Sequence, residues 1–257
     1  MTLSKYIDRY ISGIHNYCDK WCERCPMTNK CRVFFDTEEK KAEHFRKGED
    51  PNDINIMMED VQKDLEKTMR LLKKISEKEG IVLESLPDKE ALLPDIKKHP
   101  LNIDCLAYMQ KAHVFLKKLT SVLKAEKNDL FETVKIIPSA EEEVSHFEGI
   151  IDHYEVVAWY HTLIPAKIYR ALSSKFEAVV EKDHELAQIN LDDANGSAKV
   201  AYIGLTKSIA SLQKLFKWNE PLQNEALNLM VDADRMRKCL DAEFPGHHAF
   251  KRPGFDR

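Results

Sequence analysis

The sequence predicts an all-α protein, an antiparallel bundle of about five or six helices. Apolar side chains recur at three- and four-residue spacing along most of the 257 residues, with no sustained two-residue alternation. Glycine is scarce, at 8 residues, which suits helices better than a turn-rich β fold. A third observation sets the N-terminus apart: four of the six cysteines fall within Cys18–Cys31.

Leu3, Tyr6, Ile7, Tyr10, Ile11, Ile14 and Tyr17 predict an amphipathic helix over 3–20 that delivers Cys18 at its end. Residues 21–36 complete the cysteine segment. EEKKAEHFRKGEDPND then reads as a polar run, with Pro51 suited to the first turn of the next helix because that position needs no amide donor. Residues 52–79 place Ile54, Met57, Met58, Val61, Leu65, Met69, Leu72 and Ile75 on one face, with Gly80 as the stop. Residues 81–100, with Pro87, Pro94 and Pro100, read as a connection holding a short helical turn. It is the one candidate hinge in what otherwise reads as a single helical domain over 1–257.

A helix over 102–127 carries Cys105, Leu106, Met109, His113, Leu116, Leu119 and Leu123 on its buried face. Ser139, three residues ahead of Glu142, marks a helix start. The longest apolar stripe follows, over 140–186. Pro165 inside it deprives the His161 carbonyl of its partner and should kink the helix. Asn195-Gly196 is expected to break the pattern ahead of helices over 197–217 and 220–243. Ala198, Ala201, Gly204 and Ala210 would admit a close neighbour, and the tail FPGHHAFKRPGFDR reads as extended.

Composition excludes several classes. A net charge of -4 offers no general basic footprint and argues against a nucleic-acid binder. No stretch approaches the roughly 18 apolar residues of a membrane span, and the N-terminus lacks the apolar core of a signal peptide. The expected location is therefore the reducing cytoplasm, where clustered cysteines serve metals more often than disulfides.

In CDKWCERCPMTNKC, Cys18, Cys22, Cys25 and Cys31 are separated by three, two and five residues. Four thiolates point to Zn2+ or an iron–sulfur cluster. The short span favours a 4Fe-4S cubane, whose corners lie farther apart than the ligands of one ion, and Pro26 follows Cys25 as in ferredoxin-type runs. Cys18, Cys22 and Cys25 also resemble the signature of radical S-adenosylmethionine enzymes, but the strands and glycine-rich loop which that family implies are missing. CERCPMTNKC resembles the iron–sulfur staple of RecB-like nucleases, without their acidic and lysine motif. The whole chain is similar to a group of uncharacterised bacterial all-α proteins through its cysteine-rich start, Trp159-Tyr160, NGSAKVA from Asn195 and RPGFD at Arg252–Asp256. That resemblance implies the cysteine motif and a helical fold, and no activity.

Glu155, His161, Lys167 and Arg170 form a second candidate, a polar pocket in the bundle core able to bind a carboxylate or phosphate. Glu143 with His146 and Glu181 with His184 have the spacing of di-iron ligands but read as parts of a solvated acidic face. His247-His248 with Lys251 and Arg252 suggest either an anionic contact or a tail packed back on the body. Cys105 and Cys239 read as buried thiols. The leading expectation is a metal-binding helical protein in which the metal is a structural clasp or redox-responsive element, acting through a partner protein or a small anionic ligand. The alternative is an enzyme or small-anion binder centred on the core pocket.

Overall fold

The computed structural model describes residues 9–80, 93–136 and 141–256, and among them every regular element is helical, with no strand. The helices are α1 (Arg32–Lys47), α2 (Ile54–Glu79), α3 (Pro100–Ile136), α4 (Glu141–Val180), α5 (His184–Trp218) and α6 (Gln223–Glu243). The all-α expectation holds. The chain divides into two compact units, one of Met1–His15 with Cys22–Leu93, the other of Asn16–Trp21 with Pro94–Arg257. The last of the three boundaries along the chain falls inside the proline-rich connection, where Ile96–Lys98 forms the expected short turn.

In the larger unit α3 to α6 each pack against two neighbours, in the cycle α3–α4–α5–α6–α3. Adjacent helices are antiparallel. Between α4 and α5, Tyr160 lies at Gly204, Arg170 pairs with Asp193 and His153 meets Ser211. Between α3 and α6, Asp104 pairs with Arg235, Lys111 with Asp232 and Lys118 with Glu225. The core is apolar and closely packed around Tyr108, Phe115, Leu119, Tyr160, Ile164, Leu205 and Met236. Cys105 is fully buried, and burial pushes its thiol up to about 12, as an inert core thiol should be. Cys239 is only partly buried.

Two expectations in this unit fail. Asn195-Gly196 does not interrupt anything: α5 runs through both, and Gly196 is buried. A Cβ there would lie 2.4 Å from Tyr17 Cε1 and 2.8 Å from Phe250 Cζ, so this glycine serves a close approach and not a turn. The break occurs earlier, where Asp183 caps α5 by accepting the Glu185 and Leu186 amides. The tail is turned rather than extended, through His247 N–H to the Phe244 carbonyl and Phe250 N–H to the Gly246 carbonyl. It does pack back, with Lys199 donating to the Phe250 carbonyl and pairing with Asp256. The helix start read at Ser139 lies outside the described residues.

In the smaller unit, residues 9–15 form no α-helix. Ile14–Asn16 is a single 3-10 turn, and the part of the expected helix over 3–8 lies outside the described residues. Gly13, at φ 71°, and, in the 16–21 stretch of the larger unit, Lys20, at φ 60°, adopt left-handed values that a right-handed helix excludes. The polar run, by contrast, is helical. Cys31 caps α1 with its Sγ accepting the Phe34 amide, and Gly48, at φ 75°, closes it. The i,i+4 ion pairs Arg32–Asp36 and Glu43–Lys47 each add a small stabilisation to this polar helix. Asp53 caps α2 after Pro51, and Gly80 ends it as expected. Among the described residues no α2 side chain is buried, and its apolar stripe, including Ile54, Val61 and Leu65, is exposed.

His44 joins these two helices: Nδ1 lies 2.6 Å from Glu49 Oε2 and Nε2 3.0 Å from Asp60 Oδ2. Both carboxylates favour the imidazolium and hold its pKa above the ordinary value. A raised folded-state pKa stabilises fully below the unfolded value of about 6.5 and is lost as pH rises through the folded one. Hydrogen exchange of α1 and α2 amides should therefore quicken with rising pH in that window, beyond the intrinsic rate, and His44→Gln should remove the extra dependence.

Candidate functional site

Residues 16–21 are an irregular stretch seated on α4 and α5, and the side chains of Tyr17, Asp19 and Trp21 hold it there. Tyr17 donates its hydroxyl to Asp193 Oδ1 at 3.2 Å and sets its ring 4.7 Å from that of Phe250. Asp19 uses two different atoms: its carbonyl accepts the Trp159 indole N–H at 2.8 Å, and Oδ2 accepts the Tyr160 hydroxyl at 2.6 Å. Lys207 donates to that same Tyr160 hydroxyl at 2.9 Å. Trp21 stacks on Trp159, 5.0 Å between centres and 14° between planes. Cys18 and Lys20 fall between these anchors.

Asp193 gathers the second set of contacts. It accepts from the Arg170 guanidinium through both carboxylate oxygens, from Ser174 Oγ at 2.7 Å and from Tyr17. Burial opposes its charge, yet the Arg170 and Ser174 donors hold its carboxyl below the usual range. The same surroundings, burial first and Asp193 next, push the Tyr17 phenol up to about 12. Lys167 is buried and donates to the Asn16 carbonyl at 3.0 Å. Burial, reinforced by Arg170, pushes its pKa down to about 8.

Of the four residues proposed for a core pocket, the structure brings Lys167 and Arg170 to this stretch. It places the other two elsewhere. His161 is bonded to its own helix through the Ala158 carbonyl and lies 6.1 Å from the His113 ring, and Glu155 is exposed. Burial lowers the His161 pKa. His146 and His184 are exposed and sit on different helices, α4 and α5. The Glu143 side chain lies outside the described residues.

The cysteines are thiols, with no disulfide among the described residues, and Cys18, Cys22, Cys25 and Cys31 are all partly exposed. Cys22 opens a 3-10 turn, and the Cys25 amide returns to the Cys22 carbonyl. Cys25 Sγ accepts the Met27 amide at 3.4 Å, and Cys31 Sγ accepts the Phe34 amide at 3.5 Å. The sequence reading did not anticipate Asp19 and Asp193. Each is an ordinary acid in a polar stretch, and only its partners, about 140 and 20 residues away along the chain, give it meaning. Comparison with protein-family models, with curated proteins and with solved structures gives no match for this chain.

Proposed function

We propose that the chain is a cytoplasmic metal-binding protein. Cys18, Cys22, Cys25 and Cys31 hold an iron–sulfur cluster, or else a zinc ion, as a structural clasp or redox-responsive element of a protein that works by binding a partner. The observation that carries this reading is four thiols within one short segment, two of them receiving main-chain amides on sulfur. Such amides stabilise the negative charge that a metal-bound thiolate carries. The cluster is preferred on spacing. Around one zinc, at about 2.3 Å from each sulfur, thiolates stand about 3.8 Å apart. Four ligands within the short span Cys18–Cys31 wrap the wider corners of a cubane more readily than one ion. Among the described residues, no helix is long and apolar enough to cross a membrane.

The core-pocket alternative gains little, because Lys167 and Arg170 are already committed to the Asn16 carbonyl and to Asp193. Anaerobic purification with iron, sulfide and zinc analysis is the deciding experiment. Iron with a broad absorbance band near about 400 nm is expected. A colourless protein with one zinc per chain selects the ion, and a protein bare of both metals overturns the proposal. Serine at 18, 22, 25 or 31 should lower metal content and melting temperature together, the latter by roughly 5 °C. Unchanged melting in all four variants would remove the clasp.

A further inference from the structure

Beyond the end of α6 the chain folds back over the helix. Asp241 lies in the last turns of α6, and the bend closed by His247 N–H to the Phe244 carbonyl, 3.0 Å, sets His247 and His248 above it. Both Nε2 atoms lie 2.9 Å from the same oxygen, Asp241 Oδ1. One ligating atom from each residue lies within 4.8 Å of the other two, and no other trio of histidine, cysteine or acidic residues does this among the described residues. The imidazole rings stand 3.9 Å apart, with Tyr202 against both at 5.0 and 4.9 Å. His247 is fully buried, whereas the Asp241 and His248 side chains are 43% and 60% exposed.

Hydrogen bonding alone leaves this cluster incomplete. An acid near a helix C-terminus sits in the negative end of the helix dipole, and α6 has no basic side chain in its last turn. The neighbouring cations are already matched: Lys199, close to His247, pairs with Asp256 at 2.7 Å, and Arg237, over Tyr202, pairs with Asp234 at 2.6 Å. A divalent ion would supply the missing positive charge.

The geometry suits one. With ligands about 2.1 Å from a metal, donors at right angles stand about 3.0 Å apart, close to the two separations found here. Around a tetrahedral ion the same donors stand about 3.4 Å apart, so each 2.9 Å contact opens by about 0.5 Å to admit a metal. The bend is also seated before any ion arrives, because Gly246 packs so closely on Asn195 of α5 that a Cβ would lie 2.9 Å from its amide nitrogen. Two imidazoles and a carboxylate are the donor set of mononuclear sites that keep coordination positions open. Here the exposed side of Asp241 and His248 supplies that opening.

We infer that Asp241, His247 and His248 bind a divalent transition-metal ion of the zinc and cobalt class, with its remaining positions open to solvent. The site uses nitrogen and oxygen donors and is independent of the cysteine reading. Cobalt(II) titration of the full-length protein separates the two, since thiolate ligation gives intense near-ultraviolet bands and N/O ligation gives weak visible bands alone. The wild type should take up one equivalent with weak visible bands, displaced by zinc. His248→Ala and Asp241→Asn, both at exposed positions and checked for helicity by circular dichroism, should each weaken that uptake by about 100-fold or more. Serine at all four N-terminal cysteines should leave it intact. Absence of the weak-band uptake in the wild type, or unchanged affinity in both variants, overturns the inference.

Discussion

Asp193→Ala should lower stability by about 3 kcal/mol, the largest effect expected of any single surface-proximal change in the larger unit. The carboxylate accepts from Arg170, Ser174 and Tyr17 together, and its side chain is only 18% exposed. Its removal strands three donors at once. The Arg170 side chain is 42% exposed and recovers part of its solvation, which keeps the cost below that of a fully buried broken pair. For a chain of this size the melting temperature should fall by roughly 10 °C. Tyr17→Phe, which deletes one hydroxyl, should cost about 1 kcal/mol. The same carboxylate sets an acid limit. Its folded-state pKa is depressed, so its contribution is complete above the unfolded value of about 3.9 and is lost as pH falls through the folded value. Melting curves of wild type and Asp193→Ala should therefore converge toward low pH. A variant that melts within about 2 °C of wild type at neutral pH would show that Asp193 is not an anchor.

Gly196→Ala should destabilise by about 2 kcal/mol although helix propensity alone favours alanine by about 1 kcal/mol. The new methyl would enter space held by two rings, at 2.4 Å from Tyr17 and 2.8 Å from Phe250. Tyr17 cannot slide aside without stretching its bond to Asp193, one turn earlier on the same helix. The strain should therefore lift the stretch 16–21. Trp21 lies in that stretch, stacked on Trp159, so the loss should appear as a weakened near-ultraviolet dichroism signal from the coupled indoles. Gly149 on α4 is the internal control. Nothing lies within 4 Å of a Cβ placed there, and Gly149→Ala should stabilise by about 0.5–1 kcal/mol. Equal effects at the two glycines would refute the close-approach account.

These two predictions bear on the cysteine reading through Cys18, which lies between the Tyr17 and Asp19 anchors. If the stretch is a rigid mount for a metal ligand, Gly196→Ala should lower metal content along with stability. If it is only a packing element, metal content should stay at the wild-type level.

The amino-acid order alone determined the helical class, the Cys105, Leu116, Leu119 and Leu123 part of the buried α3 face, the Gly80 stop and the close-packing role of Gly204. Each is a local property: side chains three or four residues apart share a face whatever surrounds them. Leu106 and His113, read onto that α3 face, are exposed, as is the α2 stripe. Tertiary structure decided what local rules misread. Asn195-Gly196 has the composition of a turn, yet helix α5 passes through it, because burying Tyr17 and Phe250 against the bare glycine outweighs its poor propensity. Residues 9–15 have helical spacing but no α-helix, with Gly13 left-handed, and the charged run after Cys31 is helical, with i,i+4 ion pairs and an αL glycine cap contributing. Asp19, Asp193 and the meeting of Asp241 with His247 and His248 depend on partners that only folding brings near. A charge shows its role through what surrounds it, and that is set by packing rather than by sequence neighbours.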